Sequence, residues 1–208
     1  MTLLKLSNLS WLALFAATAA TGNTACSSNP GPAPKAYAAV LIMAGGNPGV
    51  NDVPACGGGD FNYTVGAATA GMPMDYADGT DHAGKVSVYC TVDSNGGGFD
   101  VNLSVEIAAA MGGTLSVSGH VNATGSSTGL NATFETMGQL FRDNDCTFSQ
   151  VYNGAPIPSN AGPASGRIWG HLDCPNAMES GMFGQGADGG AVTKTCDGSA
   201  DFLFENCN

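Results

Sequence analysis

Gly125-Ser126-Ser127-Thr128-Gly129 spells the G-x-S-x-G of a hydrolase nucleophile, with His171 downstream and Asp143 or Asp145 at hand as the acid. Acyl transfer by such a set needs the serine on a sharp strand-to-helix turn, within reach of the imidazole. The residues after Gly129 read as a strand, so the motif is expected to be a hairpin loop. Gly184-Gln185-Gly186-Ala187-Asp188-Gly189 is a literal G-x-G-x-x-G. A dinucleotide site would need a helix after it, and GAVTKTCDG is not helical. Asp75, Asp78, Asp81 and His82 form the densest acidic cluster. Oxygen ligands on a Gly-containing loop suit Ca²⁺, but the spacing is not that of an EF-hand. The three aspartates are weak metal candidates, and a solvated acidic turn is the simpler reading. His82, His120 and His171 are too scattered to read as a zinc site.

Arg167, Trp169 and His171 have another use. In Gly166-Arg167-Ile168-Trp169-Gly170-His171-Leu172, alternation puts Ile168 and Leu172 on one face and Trp169 and His171 on the other, with Arg167 beside them. An aromatic ring next to polar groups on a sheet face can stack on a sugar, so these three are candidate ligand-binding residues. A Trp packed beneath a loop would look the same in sequence. Asn95 to Asp100 resembles one calcium-binding Gly/Asp nonapeptide, but such sites need stacked repeats, and a hairpin turn fits better. Asn62, Asn102, Asn122 and Asn131 each begin an N-x-S/T, which matters only where glycans are attached.

Seven cysteines carry the remaining chemistry: Cys26, Cys56, Cys90, Cys146, Cys174, Cys196 and Cys207. An odd number in an exported chain singles one out. Lys5 followed by the apolar run LSWLALFAATAA reads as a secretory signal peptide, too short for the roughly 20 residues of a membrane span. Ala17-Thr18-Ala19 would release a soluble, secreted protein. Asn23-Thr24-Ala25-Cys26 instead resembles a bacterial lipobox, with Asn23 where an apolar residue is usual. The polar, proline-containing SSNPGPAPK that follows is suited to a tether. The reading adopted is a signal peptide over 1–25, a lipidated Cys26 with its tether over 26–36, and one domain over 37–208. That leaves Cys56, Cys90, Cys146, Cys174, Cys196 and Cys207 for three disulfides in an oxidising compartment.

A domain of about 180 residues can hold a real core. The net charge of −11, from 17 acids against 6 bases, argues against nucleic acid, which needs a basic footprint. It argues equally against electrostatic attachment to anionic lipid.

The elements that must position these residues are strands. Phe99 to Ile107 alternates apolar and polar over its whole length. Lys85 to Val92, Thr114 to Val121, Leu130 to Thr136, Cys146 to Tyr152, Gly166 to Cys174 and Ala200 to Asn206 read likewise. Val40 to Met43 and Phe61 to Val65 are weaker. Turn clusters such as DSNGGG and NATGSSTG separate them. Asn176 to Ser180 allows one helical turn, within a long Gly-rich loop near 175–199. The expected fold is all-β, an antiparallel sandwich or open barrel of about 7–9 strands, disulfide-stabilised. Reach along the strands favours Cys174–Cys196, Cys146–Cys207 and Cys56–Cys90, with Cys146–Cys174 across a hairpin as the alternative.

The stretches CTF…GRIWGHLDC and CDGSADFLFENC resemble the C-terminal half of small predicted lipoproteins of myxobacteria and related predatory bacteria, over Gly98 to Asn208. The resemblance implies bacterial origin, export and a β fold, and it brings no activity with it. The functional expectation is an exported lipoprotein with a non-catalytic binding or structural role at the cell envelope. It would be held to the outer membrane or cell surface by its lipid, as a monomer facing an envelope protein or glycan, without cofactor. A secreted carbohydrate-binding module and a serine hydrolase are the rivals.

Overall fold

A computed structural model describes residues 31–44, 60–81, 84–109, 112–136, 138–180 and 195–208. All belong to one compact unit, Gly31–Asn208. Cys26, Cys56, His82 and the G-x-G-x-x-G stretch lie outside the described residues, as does the signal-peptide segment.

The strands are β1 (Lys35–Ala44), β2 (Phe61–Val65), β3 (Tyr76–Ala77), β4 (Lys85–Asn95), β5 (Gly98–Ala108), β6 (Gly113–Asn122), β7 (Ser126–Thr136), β8 (Gln139–Ser149), β9 (Val151–Tyr152), β10 (Ala155–Pro156), β11 (Arg167–Ser180) and β12 (Thr195–Glu205). A 3₁₀ turn covers Ser159–Ala161, and no α-helix occurs among the described residues. The main sheet runs β2-β1-β12-β11-β8-β7-β6-β5-β4, with β3 added to β1 and β9–β10 a separate hairpin. Its pairings are antiparallel. This is the expected all-β fold in its barrel form. β1 begins at Lys35, so the last two residues assigned to the tether belong to a strand.

The barrel is nearly closed, and the free edge of β4 is sealed piecemeal. Val86 exchanges backbone hydrogen bonds with Gly79 and Thr80. Val88 N donates to Asp78 Oδ1 at 2.9 Å. Asn208 N donates to Cys90 O, Val92 N to Asn208 O, and Gly166 N to Val92 O. An unpaired strand edge invites association with other chains, and such covering removes it. The Cys90–Cys207 disulfide locks the seal.

Inward positions alternate as expected: Val86, Val88, Cys90 and Val92 on β4, and Val101, Leu103, Val105 and Ile107 on β5. Phe134, Phe141, Phe148, Phe202 and Phe204 fill the middle, each fully buried. Gly170 and Gly198 are where the core needs glycine, since a Cβ would meet the rings of Phe148 and Phe134 at 2.1 and 2.8 Å.

Three expectations are corrected. The favoured pairings give way to Cys90–Cys207 and to the alternative, Cys146–Cys174; Cys196 is disulfide-bonded too. β11 runs on to Ser180 and β12 starts at Thr195, so both ends of the stretch expected as a loop near 175–199, Asn176–Ser180 among them, are strand, and residues 181–194 lie outside the described residues. β8 begins seven residues before Cys146, at Gln139. The longer β8 and β11 share a cause in Asp143, which is buried at 4% exposure. Its Oδ1 accepts from Asp145 N at 2.9 Å and its Oδ2 from Asn176 N at 3.0 Å. One carboxylate thus satisfies the irregular backbone of two neighbouring strands, where β8 slips against β7 and β11 bulges between Cys174 and Ala177. Buried carboxylates persist when hydrogen-bonded in this way. The RDND run and Pro175 therefore look like strand breaks in sequence yet lie within strands.

Candidate functional site

Registration sets four rows across the outer face of β11, β12 and β1. They are Arg167–Glu205–Lys35, Trp169–Leu203–Tyr37, His171–Asp201–Ala39 and Asp173–Ser199–Leu41. The second row is covered. Tyr37, Tyr152, Ile157, Trp169 and Leu203 form a second hydrophobic cluster outside the barrel, each at most 7% exposed. Two segments make its roof: the β9–β10 hairpin with the 3₁₀ turn, and residues 66–75. Tyr152 stands between them, its ring centroid 5.5 Å from Trp169 and 6.0 Å from Tyr37. Its hydroxyl accepts from Thr69 N and donates to Thr69 O, both at 3.3 Å. Burial, then the Tyr152 hydroxyl and the nearby charges, push the Tyr37 phenol well above its ordinary value.

A groove of about 530 Å³ opens in this roof. Met72, Tyr152, Pro156, Ile157, Pro158 and Trp169 are among its walls, and none of the described residues that line it is charged. Hollows of this size and apolarity are what small-molecule sites look like.

The three predicted ligand-binding residues do share this face, as alternation required, but their roles diverge. Trp169 lines the groove at 5% exposure, too buried to serve as a flat platform for a sugar. Its Nε1 is buried without an acceptor, as is Nε of Arg167. Arg167 Nη2 donates to the carbonyls of Asn160 and Gly162 at 2.9 and 3.3 Å, fastening the roof to the barrel. His171 Nδ1 lies 2.9 Å from Asp201 Oδ1. That hydrogen bond raises the imidazole pKa against the opposing effect of burial, helped by the charges of Asp201 and Asp173.

The hydrolase set is not assembled. Gly125 takes positive φ at the β6–β7 turn, as a hairpin needs, whereas Ser126 to Gly129 belong to β7 and Gly129 takes positive φ where its register against β8 shifts. Ser127 is 5% exposed, and its Oγ accepts from Asn122 N at 2.8 Å. It opposes Phe148 on the inner face, whereas His171 faces out. Asp143 is occupied at the bulges.

The acidic candidates also serve separate purposes. Asp75 lies 3.9 Å from Lys35. Asp78 accepts from the β4 backbone, and Asp81 forms a backbone β-bridge with Lys85. Glu205 is pushed above its ordinary value, by burial first and then by Asp75. Among the described residues, ligand-type atoms of three such side chains converge at Asp143, Cys146 and Cys174, but the two sulfurs are a disulfide.

No family model, no curated protein and no solved structure matches this chain. The functional argument therefore rests on the site itself. Sequence reasoning missed Tyr37, Tyr152 and Ile157, which build the roof and floor. The available signal was composition: NGAPIPSNAGPASG is a long connection studded with apolar residues and prolines, and such loops are often functional.

Proposed function

We propose that this chain is an exported bacterial lipoprotein, anchored through Cys26, whose domain binds a neutral, largely apolar ligand at the cell envelope without catalysis. The observation that carries the binding reading is the roofed aromatic groove on the outer face of β11–β12–β1. The barrel interior is filled by phenylalanines, so a ligand meets the domain from outside. Two loops, a hairpin, an arginine clamp and a tyrosine bridge are all spent on shaping that exterior hollow.

The anchor reading is supported by the apolar leader, the cysteine after Ala25, the proline-containing linker and the odd cysteine count. The likeness to myxobacterial lipoproteins agrees with it. The intact mass of the protein from membranes, with and without reduction, tests it. The expected species begins at Cys26, carries acyl chains and gains about six hydrogens on reduction of three disulfides. An unacylated protein beginning near Ala20 would overturn the anchor and leave the groove reading standing.

A further inference from the structure

The row beside the covered one, Arg167–Glu205–Lys35, holds the roof from both sides. Ile168, Phe204 and Ala36, next to these residues along their strands, are fully buried, so alternation turns all three side chains outward. From β11, Arg167 Nη2 grips the carbonyls of Asn160 and Gly162. From β1, Lys35 Nζ lies 3.9 Å from Asp75 Oδ1, at the end of segment 66–75. That segment supplies Ala70, Gly71 and Met72 to the groove wall. Glu205 stands between the two cations in the register.

Two buried atoms in this cluster are unmatched. Nε of Arg167 lacks an acceptor, and Oδ2 of Asp75 lacks a donor. Buried polar groups are costly to leave so. A glutamate between them can serve either one, and its proton decides which. As a carboxylate it only accepts; as a neutral acid it donates. The Glu205 carboxyl is hydrogen-bonded to that of Asp75, and two carboxyls make such a bond only with a proton between them. Burial and Asp75 favour neutral Glu205, and they outweigh the charges of Arg167 and Lys35. The His171–Asp201 pair lies two rows away, and the Tyr37 phenol is held above its ordinary value.

We propose that Glu205 is a proton-operated fastener of the groove wall: neutral, it donates to Asp75 Oδ2 and holds segment 66–75 against the barrel; ionised, it is drawn to Arg167 Nε and lets that segment loosen. As regulation of binding, this rests on the groove being the binding site. Arg167 keeps its grip through Nη2 in both states, so the hairpin side of the roof stays in place. Ionised Glu205 also sets a like charge beside Asp75. Because the folded pKa is raised, the fastening is complete below the unfolded value and is lost as pH rises through the folded one.

Amide exchange of the full chain, followed by NMR without ligand, tests the fastener. The Thr69 amide bonds to the Tyr152 hydroxyl and the Met74 amide to Ala67. Their protection factors rise at least about threefold from about pH 7 to about pH 4. The Ile157 amide, bonded to Gln150 on the hairpin side, does not follow. Glu205→Gln has the same shape and donates at every pH, so Thr69 and Met74 stay protected at both. Glu205→Ala leaves them weakly protected at both, while an unchanged Ile157 amide shows that the fold survives. Equal protection at the two pH values in the unaltered chain overturns the proposal, and so does a rise that persists in Glu205→Gln. The affinity for the neutral dye Nile red follows the same pH change. Absence of dye binding at both pH values would sink the groove reading, with the fastener still decided by exchange.

Discussion

The outer faces of β4–β6 and of β11–β12–β1 are built on the same barrel and have opposite fates. The first is open to water: Ser87, Tyr89, Asp100, Asn102, Glu106 and His120 are exposed. The second carries Trp169, Leu203 and Tyr37 under a roof. Each face holds one cross-strand His–Asp pair, at nearly equal distances of 2.8 and 2.9 Å. His120–Asp100 is about half exposed, and Asn95 donates to the same aspartate. His171–Asp201 sits at the border of the roof, where Asp201 is only 20% exposed. A sheet face becomes a site when other chain segments can be held over it, and identical pair chemistry then acquires different weight.

The strongest way to break the contrast is at the seal that joins the two regions. Cys90–Cys207 spans 117 residues and Cys146–Cys174 spans 28. Loop entropy makes the longer crosslink worth about 1 kcal/mol more, within a usual loss of about 2–5 kcal/mol. Denaturant melts of Cys90→Ser/Cys207→Ser and Cys146→Ser/Cys174→Ser should show both losses in that order. Equal or reversed losses would place the weak point elsewhere.

Next comes the roof. Tyr152→Ala should cost about 3 kcal/mol, because it removes a buried aromatic that bridges both roofing segments. Tyr89→Ala, at 56% exposure on the bare face, should change stability by less than about 0.5 kcal/mol. Equal effects would mean that the roof is decoration.

That asymmetry also explains what the sequence reveals. A sheet with one wet face alternates cleanly, so β4, β5 and β6 are legible. β1 reads KAYAAVLIMA because both its faces are covered: Ala36, Ala38, Val40 and Ile42 by the core, Tyr37 by the roof. Without period two, it registers only as a faint strand over Val40–Met43. Trp169, His171 and Arg167 were placed on a common face by alternation alone. The His171–Asp201 pair, 30 residues apart, and the stacking of Tyr152 on Trp169 required the registration of β11 and the path of a long loop. Neither is written in local pattern. Asp143 and Pro175 hide the strands that bring Cys146 to Cys174, and the Cys90–Cys207 pair depends on the chain end reaching the β4 edge, which no local pattern shows.

Smaller effects sharpen the contrast through pH and salt. His171 has a raised folded pKa, so the pair's stabilising contribution is complete below the unfolded value of about 6.5. It is lost as pH rises through the folded value. Asp201→Asn should remove this component from a stability-versus-pH curve and bring the His171 titration, followed by NMR, downward. Asp100 is held below its ordinary value by the His120 and Asn95 hydrogen bonds. Its contribution is present above the unfolded aspartate value and lost as pH falls through the folded one. Being exposed, it should fade in about 0.5 M salt, whereas the His171 component should persist.

The smallest expected change concerns the indole nitrogen. Trp169→Phe removes a buried donor that lacks an acceptor, which offsets the lost ring volume, and should change stability by less than about 1 kcal/mol in thermal melts. A loss above about 2 kcal/mol would show that the donor is satisfied in solution.

The central claim is that the roofed groove is where this domain meets a ligand. Binding of the neutral dye Nile red tests it most directly. The prediction is one site per chain with a blue-shifted emission, abolished by Ala155→Glu, which plants a charge at an exposed lining position, and unaffected by Tyr89→Glu on the bare face. No saturable binding, or binding that survives Ala155→Glu, would contradict it.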